Sequence, residues 1–127
     1  MLNPRKATAF RRMKKAKPPR ALMRQEMSDE KRRISMHVGN FLVLLEEGTA
    51  EQASMAKQKA RNELLKIRPG MEKLASDMGE KYTVLLRDFL DSIEGILYAA
   101  SGFVDGAKIT QYYNAEQKFE KSITKEK

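Results

Sequence analysis

The stretch "KYTVLLRDFLDSIEGILYAA", residues 81–100, carries the strongest hydrophobic pattern in the chain. Apolar side chains recur in it every three or four residues, which is the spacing of one face of an α-helix. The members of this face are Tyr82, Leu85, Phe89, Ile93, Ile96 and Leu97, and Leu86, Leu90 and Ala100 widen it. The pattern predicts a central helix over residues 81–100 whose apolar face lies in a core.

A last helix is predicted on the C-terminal side of this stretch. Ser101-Gly102 ends the central pattern, and Asp105 is suited to cap a helix over residues 106–124. Its apolar or half-apolar positions are Ile109, Tyr112, Tyr113, Phe119 and Ile123. These positions place one side of the last helix against the same core.

The adjacent pair Tyr112 and Tyr113 is a candidate contact for a partner. Successive residues differ by about 100° around a helix, so both rings cannot face one core. At least one tyrosine is expected on the rim, where this residue often anchors interfaces. The simpler alternative is one core tyrosine and one ordinary surface tyrosine.

A first helix is predicted upstream, beginning at Ser28 and running to about Glu47. Ser28 is a suitable N-cap, with acidic residues in the turn that follows it, and Gly48 is a C-terminal stop. The buried positions of this helix are Ile34, Val38, Phe41, Leu42 and Leu45. The spacing gives the helix one apolar stripe.

A second helix opens with a capping box formed by Thr49 and Gln52. Its narrow face is rich in small residues and consists of Ala53, Ala56, Ala60, Leu64 and Ile67. Pro69-Gly70 predicts a kink or a fresh start, after which Met71, Leu74 and Met78 continue the buried face. Gly79 is a second predicted break.

Four amphipathic helices with short connections predict an all-α, antiparallel up-and-down four-helix bundle. We expect the bundle to comprise residues 28–127, to fold by itself, and to follow an extended basic arm of residues 1–27. The longest apolar run, Phe41 to Leu45, is far shorter than the roughly 20 residues of a membrane span. Peripheral association with a membrane remains open.

The positive charge of the chain is concentrated near its N-terminus, most densely in "RKATAFRRMKKAKPPR", residues 5–20. Residues 1–33 contain 12 Lys/Arg and three Asp/Glu, a net charge of +9, whereas residues 34–127 have a net charge of −1. Such a segment suits an acidic partner, which can be nucleic acid, an anionic membrane or the acidic flank of a protein complex. The candidate contacts are Arg5, Lys6, Arg11, Arg12, Lys14, Lys15, Lys17 and Arg20. Met13, Met23 and Met27 lie among these charges and are further candidate contacts for a partner. The alternative interpretation of the segment is a transit peptide, which is likewise rich in Arg and poor in acidic residues.

The sequence contains few of the residue types that catalytic sites most often use. The chain has one histidine and no cysteine, which excludes Cys/His sites and the paired Glu-x-x-His pattern of di-iron bundles. His37 is expected to be a partly buried or rim residue. Glu46-Glu47 and Asp88 with Asp91 are typical of solvated helix faces. We therefore expect no enzyme activity, no metal and no cofactor.

Two segments resemble known sequences: "IEGILYAASGFVDGAKITQYYNAEQKF", residues 93–119, and "IRPGMEKLASDM", residues 67–78. The first is similar to the last two helices of the PsbQ family of photosystem II extrinsic proteins, and the second to the Arg-containing second helix of that family. The resemblance spans about residues 34–124. It implies a four-helix, non-catalytic subunit in the thylakoid lumen that docks on photosystem II and supports ion retention for water oxidation. The basic residues of the arm would engage its acidic partners.

Two alternatives remain beside this resemblance. A nucleic-acid-binding bundle would lay the arm along phosphates, although the body is near neutral and Phe10 is the single aromatic residue of the arm. An accessory subunit of another large assembly would use the arm on that assembly.

Overall fold

The computed structural model describes residues 19–99 and 104–124, and all the regular secondary structure within these ranges is helical. The helices are α1 (Arg20–Glu47), α2 (Ala50–Met78), α3 (Glu80–Leu97) and α4 (Gly106–Thr124). Each helix packs against its neighbour in sequence, and α1 also contacts α4. The predicted all-α class with four helices is confirmed, whereas the greater part of the predicted arm lies outside the described residues.

One hydrophobic core joins the four helices. Phe41 of α1, Met71 of α2, Phe89 of α3 and Phe119 of α4 are all buried. The Phe89 ring stacks on Phe119 at 5.4 Å and on Tyr112 at 6.0 Å between ring centroids. The hydrophobic stretch that predicts the central helix therefore supplies the aromatic centre of the core, although α3 ends at Leu97 rather than Ala100.

The helix α1 begins at Arg20, so the predicted start at Ser28 is wrong. Ser28 is half-buried inside the helix, and Pro19 occupies the N-cap position with φ −54°. Met23 and Met27 lie five residues and one residue before Ser28, extend the apolar stripe towards the N-terminus, and are 5% and 0% exposed. Burial of two methionines outweighs a cap of about 1 kcal/mol at Ser28.

This longer helix changes the organisation expected from the sequence. The predicted boundary between residues 27 and 28 falls inside α1, and residues 20–27 belong to the helical body. Met23 and Met27 are core residues, so they are not contacts for a partner. Met13 lies outside the described residues.

The short connection from α1 to α2 follows the sequence signals closely. The helix α1 ends at Glu47, and a Cβ atom on Gly48 would lie 2.9 Å from the Leu44 carbonyl oxygen. The Gln52 amide donates to the Thr49 hydroxyl at 3.1 Å, while the Gln52 side chain accepts from the Thr49 amide at 3.0 Å. The predicted glycine stop and capping box are both confirmed.

The helix α2 passes through Pro69 without interruption, so no fresh start occurs there. Ile67, Met71 and Ala75 lie buried on one face on both sides of the proline. Their packing holds the helix together, because tertiary contacts contribute more to helix stability than local propensity. The predicted break at Gly79 is confirmed, since its φ of 129° and ψ of 167° lie in a region open essentially to glycine.

The helix α4 has the predicted bounds, and its predicted cap is present. The Asp105 carboxylate accepts a hydrogen bond from the Ala107 amide at 3.1 Å, which satisfies one of the amides left unpaired at a helix start. Among the described residues, no helix is both long enough and apolar enough to cross a membrane.

Candidate interaction surfaces

The basic N-terminal segment joins the helical body through Arg20. The Arg20 guanidinium donates to the Met78 carbonyl at 2.8 Å and lies 5.4 Å from the centroid of the Tyr82 ring. It thereby satisfies a carbonyl left unpaired at the end of α2 and covers the aromatic ring that opens α3. Arg20 thus fixes the start of α1 against the junction of α2 and α3. The other seven basic candidates lie outside the described residues.

A polar cluster joins α1 to the middle of α4. The Glu116 carboxylate accepts from the Ser35 hydroxyl at 2.6 Å and from the Tyr112 hydroxyl at 3.2 Å. Lys31 lies 3.6 Å from the same carboxylate and 2.9 Å from Glu120. A partly buried carboxylate needs such donors to compensate for its lost hydration. The contacts of Lys31 and Ser35 with α4 therefore hold this part of α1 against α4.

The two adjacent tyrosines have separate environments, as their helical spacing requires. Tyr112 is 2% exposed and stacks on Phe89, whereas Tyr113 is 48% exposed. The two rings are 5.2 Å apart between centroids. Tyr112 therefore belongs to the core, and Tyr113 is the member of the pair that a partner can reach.

The Tyr112 hydroxyl is difficult to ionise in the folded protein. Burial raises the pKa of this hydroxyl well above its ordinary value, and the nearby Glu116 carboxylate raises it further. The hydrogen bond with Ser35 opposes this shift in pKa but is a smaller effect than burial. The tyrosine consequently links the stability of the fold to alkaline pH.

We expect Tyr112→Phe to flatten the decline of stability at alkaline pH. The folded pKa lies above the unfolded value of about 10, so this contribution is intact below about pH 10 and is lost as pH rises and the unfolded chain releases the proton. The free energy of unfolding of the parent should fall by up to about 1.4 kcal/mol more per pH unit than that of Tyr112→Phe. Urea unfolding at several pH values between about 9 and 11 measures this difference.

Tyr113→Phe is the matched control for this experiment. It removes an exposed hydroxyl from the neighbouring position and should keep the alkaline slope of the parent. Equal slopes for the parent and both variants would show that the Tyr112 hydroxyl is not held in its protonated form by the fold.

An open apolar groove lies beyond the polar cluster, between the second half of α1 and the start of α4. Its volume is about 710 Å³. Met36, Gly39 and Val43 line it from α1, and Ile109 and Tyr113 line it from α4. A Cβ atom on Gly39 would meet no atom within 4 Å, so the glycine leaves the groove open above the helix backbone.

The carboxylates singled out in the sequence form contacts between helices or lie at the surface. Asp91 is 3.8 Å from Arg68, which also pairs with Glu72 at 3.0 Å and with Glu94. Asp88 and Asp91 line a smaller groove between α3 and α4. The contacts of Arg68 with Asp91 and Glu94 join α2 to α3, whereas Glu72 lies on the same helix as Arg68.

The remaining candidates for chemistry do not converge on a site. His37 is half-buried on α1, as its position next to the apolar stripe predicts. Glu46 and Glu47 are exposed at the end of the same helix. In the part of the chain that the structure describes, no three histidine, aspartate or glutamate side chains are grouped to hold a metal ion.

Sequence reasoning missed a second stripe on α1, on the side away from the core. Its members are Leu22, Gln25, Asp29, Arg32, Met36, Gly39 and Val43, all of them exposed except the half-buried Gly39. Leu22, Met36 and Val43 are large apolar side chains that are 59%, 63% and 53% exposed. The alternating spacing of three and four residues is visible in the sequence, but the mixed composition hides it.

Comparison with known protein families, curated protein sequences and solved structures gives no match to this chain. The resemblance to the PsbQ family therefore rests on its two sequence segments.

Proposed function

We propose that this protein is a non-catalytic accessory subunit that docks on a larger protein complex through its basic N-terminal segment. The observation that carries the proposal is the separation of charge, with a net of +9 in residues 1–33 and −1 in residues 34–127. The contacts of Arg20 with Met78 and Tyr82 support it, because they attach the basic segment to a packed body at one defined point.

In this proposal the body is an antiparallel up-and-down four-helix bundle. Contacts from opposite ends of paired helices support that topology. The start of α1 contacts the end of α2 through Arg20 and Met78, and Arg61 in α2 donates to the Leu97 carbonyl at the end of α3. Lys31 and Glu120 join the first half of α1 to the end of α4. Such a bundle is a rigid carrier for a binding segment.

The most specific form of the proposal is a PsbQ-like extrinsic subunit on the lumenal, oxygen-evolving side of photosystem II. Its support is the similarity of residues 67–78 and 93–119 to that family. These segments fall on the second half of α2 and on α3 with most of α4. The subunit would stabilise the complex by binding, and the chemistry would belong to the partner.

The physics of docking follows from the charge distribution. A basic segment attracts an acidic surface over roughly 8–10 Å at physiological salt and accelerates encounter. Because a protein partner fixes the positions of charges as well as their sign, the order of basic residues should matter in addition to their number. The near-neutral body would add contacts of short range.

Reversal of four arm charges tests the proposal. Arg11, Arg12, Lys14 and Lys15 are changed together to Glu, and the variant is added to photosystem II membranes from which the extrinsic proteins have been washed with salt. We expect at least a tenfold loss of binding, because attraction is replaced by repulsion at the acidic surface. A pull-down titration, read by the bound fraction, measures the loss.

A control variant with the same net charge separates position from total charge. Lys59, Lys66, Lys73 and Lys121 are exposed on the body, and their change to Glu should leave most of the binding intact. Parent-like binding by the arm variant would contradict the proposal.

Duplex DNA as competitor distinguishes the nucleic-acid alternative. A docking subunit should retain its complex in excess DNA. For binding to nucleic acid, the logarithm of the association constant falls linearly with the logarithm of the salt concentration, with a slope of about −0.9 per phosphate neutralised. A DNA complex whose slope corresponds to six or more released ions would favour nucleic acid as the partner and overturn docking on protein.

A further inference from the structure

The exposed stripe of α1 has the spacing of a helix-pairing seam. Its positions, from Leu22 to Val43, alternate steps of three and four residues over three heptads. A helix on the surface of a bundle needs one apolar stripe, and α1 already buries Met27, Ile34 and Phe41 on its core side. The three large apolar side chains of the second stripe, Leu22, Met36 and Val43, are therefore not needed for the core of the bundle and are exposed for contact with another helix.

The groove provides a hole in this seam, and the same helix carries a side chain that fits it. Met36, Gly39, Asn40 and Val43 occupy positions i, i+3, i+4 and i+7, the four residues that surround one hole in knobs-into-holes packing. Gly39 leaves the centre of the hole empty. Leu22 lies on the same stripe, about 26 Å away along the helix axis, and is 59% exposed.

We propose that two copies of this chain pair through antiparallel α1 helices, with Leu22 of each copy in the groove of the other. Two-fold symmetry makes both ends of such an interface identical, so one knob and one hole per chain are sufficient. Tyr113, on the opposite wall of the groove, contacts the incoming leucine.

Charge complementarity supports the antiparallel alignment. Placing Leu22 over Gly39 puts the symmetry axis between residues 30 and 31, and Asp29 of one copy then faces Arg32 of the other. Two symmetric pairs of opposite charge result. A parallel alignment in register would instead place each charge opposite its like, which is unfavourable.

The ends of the interface are complementary as well. Pro19 of one copy lies near Leu42 of the other, close to the exposed pair Glu46 and Glu47. The chain before Pro19 contains seven Lys/Arg and no Asp/Glu, a net charge opposite in sign to that of Glu46 and Glu47. Pairing is independent of the partner proposed above for the N-terminal segment.

The size of the contact sets the expected affinity. An overlap of residues 20–41 in both copies is about 33 Å long. A single pair of helices of this length lies at the lower end of the roughly 1,200–2,000 Å² typical of specific interfaces. Dissociation constants in the range of about 1–100 µM are expected.

Analytical ultracentrifugation of the full chain tests the proposal over about 1 to 200 µM, the range in which such an interface should dissociate. We expect a reversible monomer–dimer equilibrium for the parent. Gly39→Leu fills the hole from within and should weaken association at least tenfold. Open space around Gly39 allows the fold to persist, which circular dichroism and the thermal midpoint verify.

Gly70→Leu is the matched control for filling the hole. Gly70 is also a helical glycine with no atom within 4 Å of an added Cβ atom, but it lies on α2, outside the stripe. This variant should associate as the parent does. Equal weakening by both substitutions would show that the groove is not the contact.

A charge exchange tests the alignment itself. Asp29→Arg and Arg32→Asp should each weaken association several-fold, because each variant places like charges opposite one another. The double variant Asp29→Arg/Arg32→Asp restores opposite charges and should recover the affinity of the parent. A monomer at every concentration, or a dimer indifferent to Gly39→Leu and to both single charge changes, would overturn the proposal.

Discussion

Phe89→Ala is expected to lower the free energy of unfolding by about 3–5 kcal/mol. Phe89 is fully buried at the middle of α3 and stacks on Phe119 and Tyr112 of α4. Removal of its ring leaves a cavity in the core between α3 and α4 and deletes two aromatic contacts. This loss is a large part of the roughly 5–15 kcal/mol that stabilises a typical domain. Urea unfolding followed by circular dichroism measures it.

Val84→Ala is the matched control, because it introduces the same residue, alanine, at an exposed position of the same helix. Val84 lies on α3 and is 48% exposed, so its truncation should change the free energy of unfolding by less than about 0.5 kcal/mol. If Phe89→Ala unfolds at the same urea concentration as Val84→Ala, the aromatic stack is not the centre of the core.

Truncation at two positions is expected to separate the helical body from the segment before it. A chain that begins at residue 28 lacks Met23, Met27 and the contacts of Arg20, and should lose at least about 4 kcal/mol of stability. A chain that begins at Pro19 keeps every core residue that the structure describes and should unfold as the full chain does. Urea unfolding of both truncations, at concentrations where each sediments as a monomer, gives the comparison.

Met27→Ala in the full chain provides an independent check on the truncation. Met27 is fully buried, and its replacement should cost about 2–5 kcal/mol. Parent-like stability of both this variant and the chain that begins at residue 28 would contradict the start of α1 at Arg20.

Local signals in the sequence predict the helices well wherever short-range chemistry decides the outcome. The capping box of Thr49 and Gln52, the stop at Gly48 and the cap at Asp105 depend on atoms a few residues apart, and all three are present. The stripe centred on Phe89 is dense enough to identify the central helix. Charge counting likewise requires no structure, and the basic N-terminal segment is a property of the sequence.

Packing decides the features that the sequence leaves ambiguous. Ser28 is a good cap in isolation, but Met23 and Met27 find a core formed by other helices, and their burial extends α1 to Arg20. Pro69 is a helix breaker by local rules, but buried neighbours on both sides hold α2 continuous. In both cases long-range burial exceeds a local preference of a few kcal/mol or less.

The candidate surfaces show the same division between sequence and tertiary structure. Helical spacing determines that Tyr112 and Tyr113 face different directions, but only the position of Phe89 and Glu116 decides that Tyr112 is the buried one. The sequence places Gly39 on a helix, whereas the groove above it exists because α4 leaves that part of α1 uncovered. Periodicity fixes which residues share a face of one helix, and the faces of other helices decide which of them remain exposed.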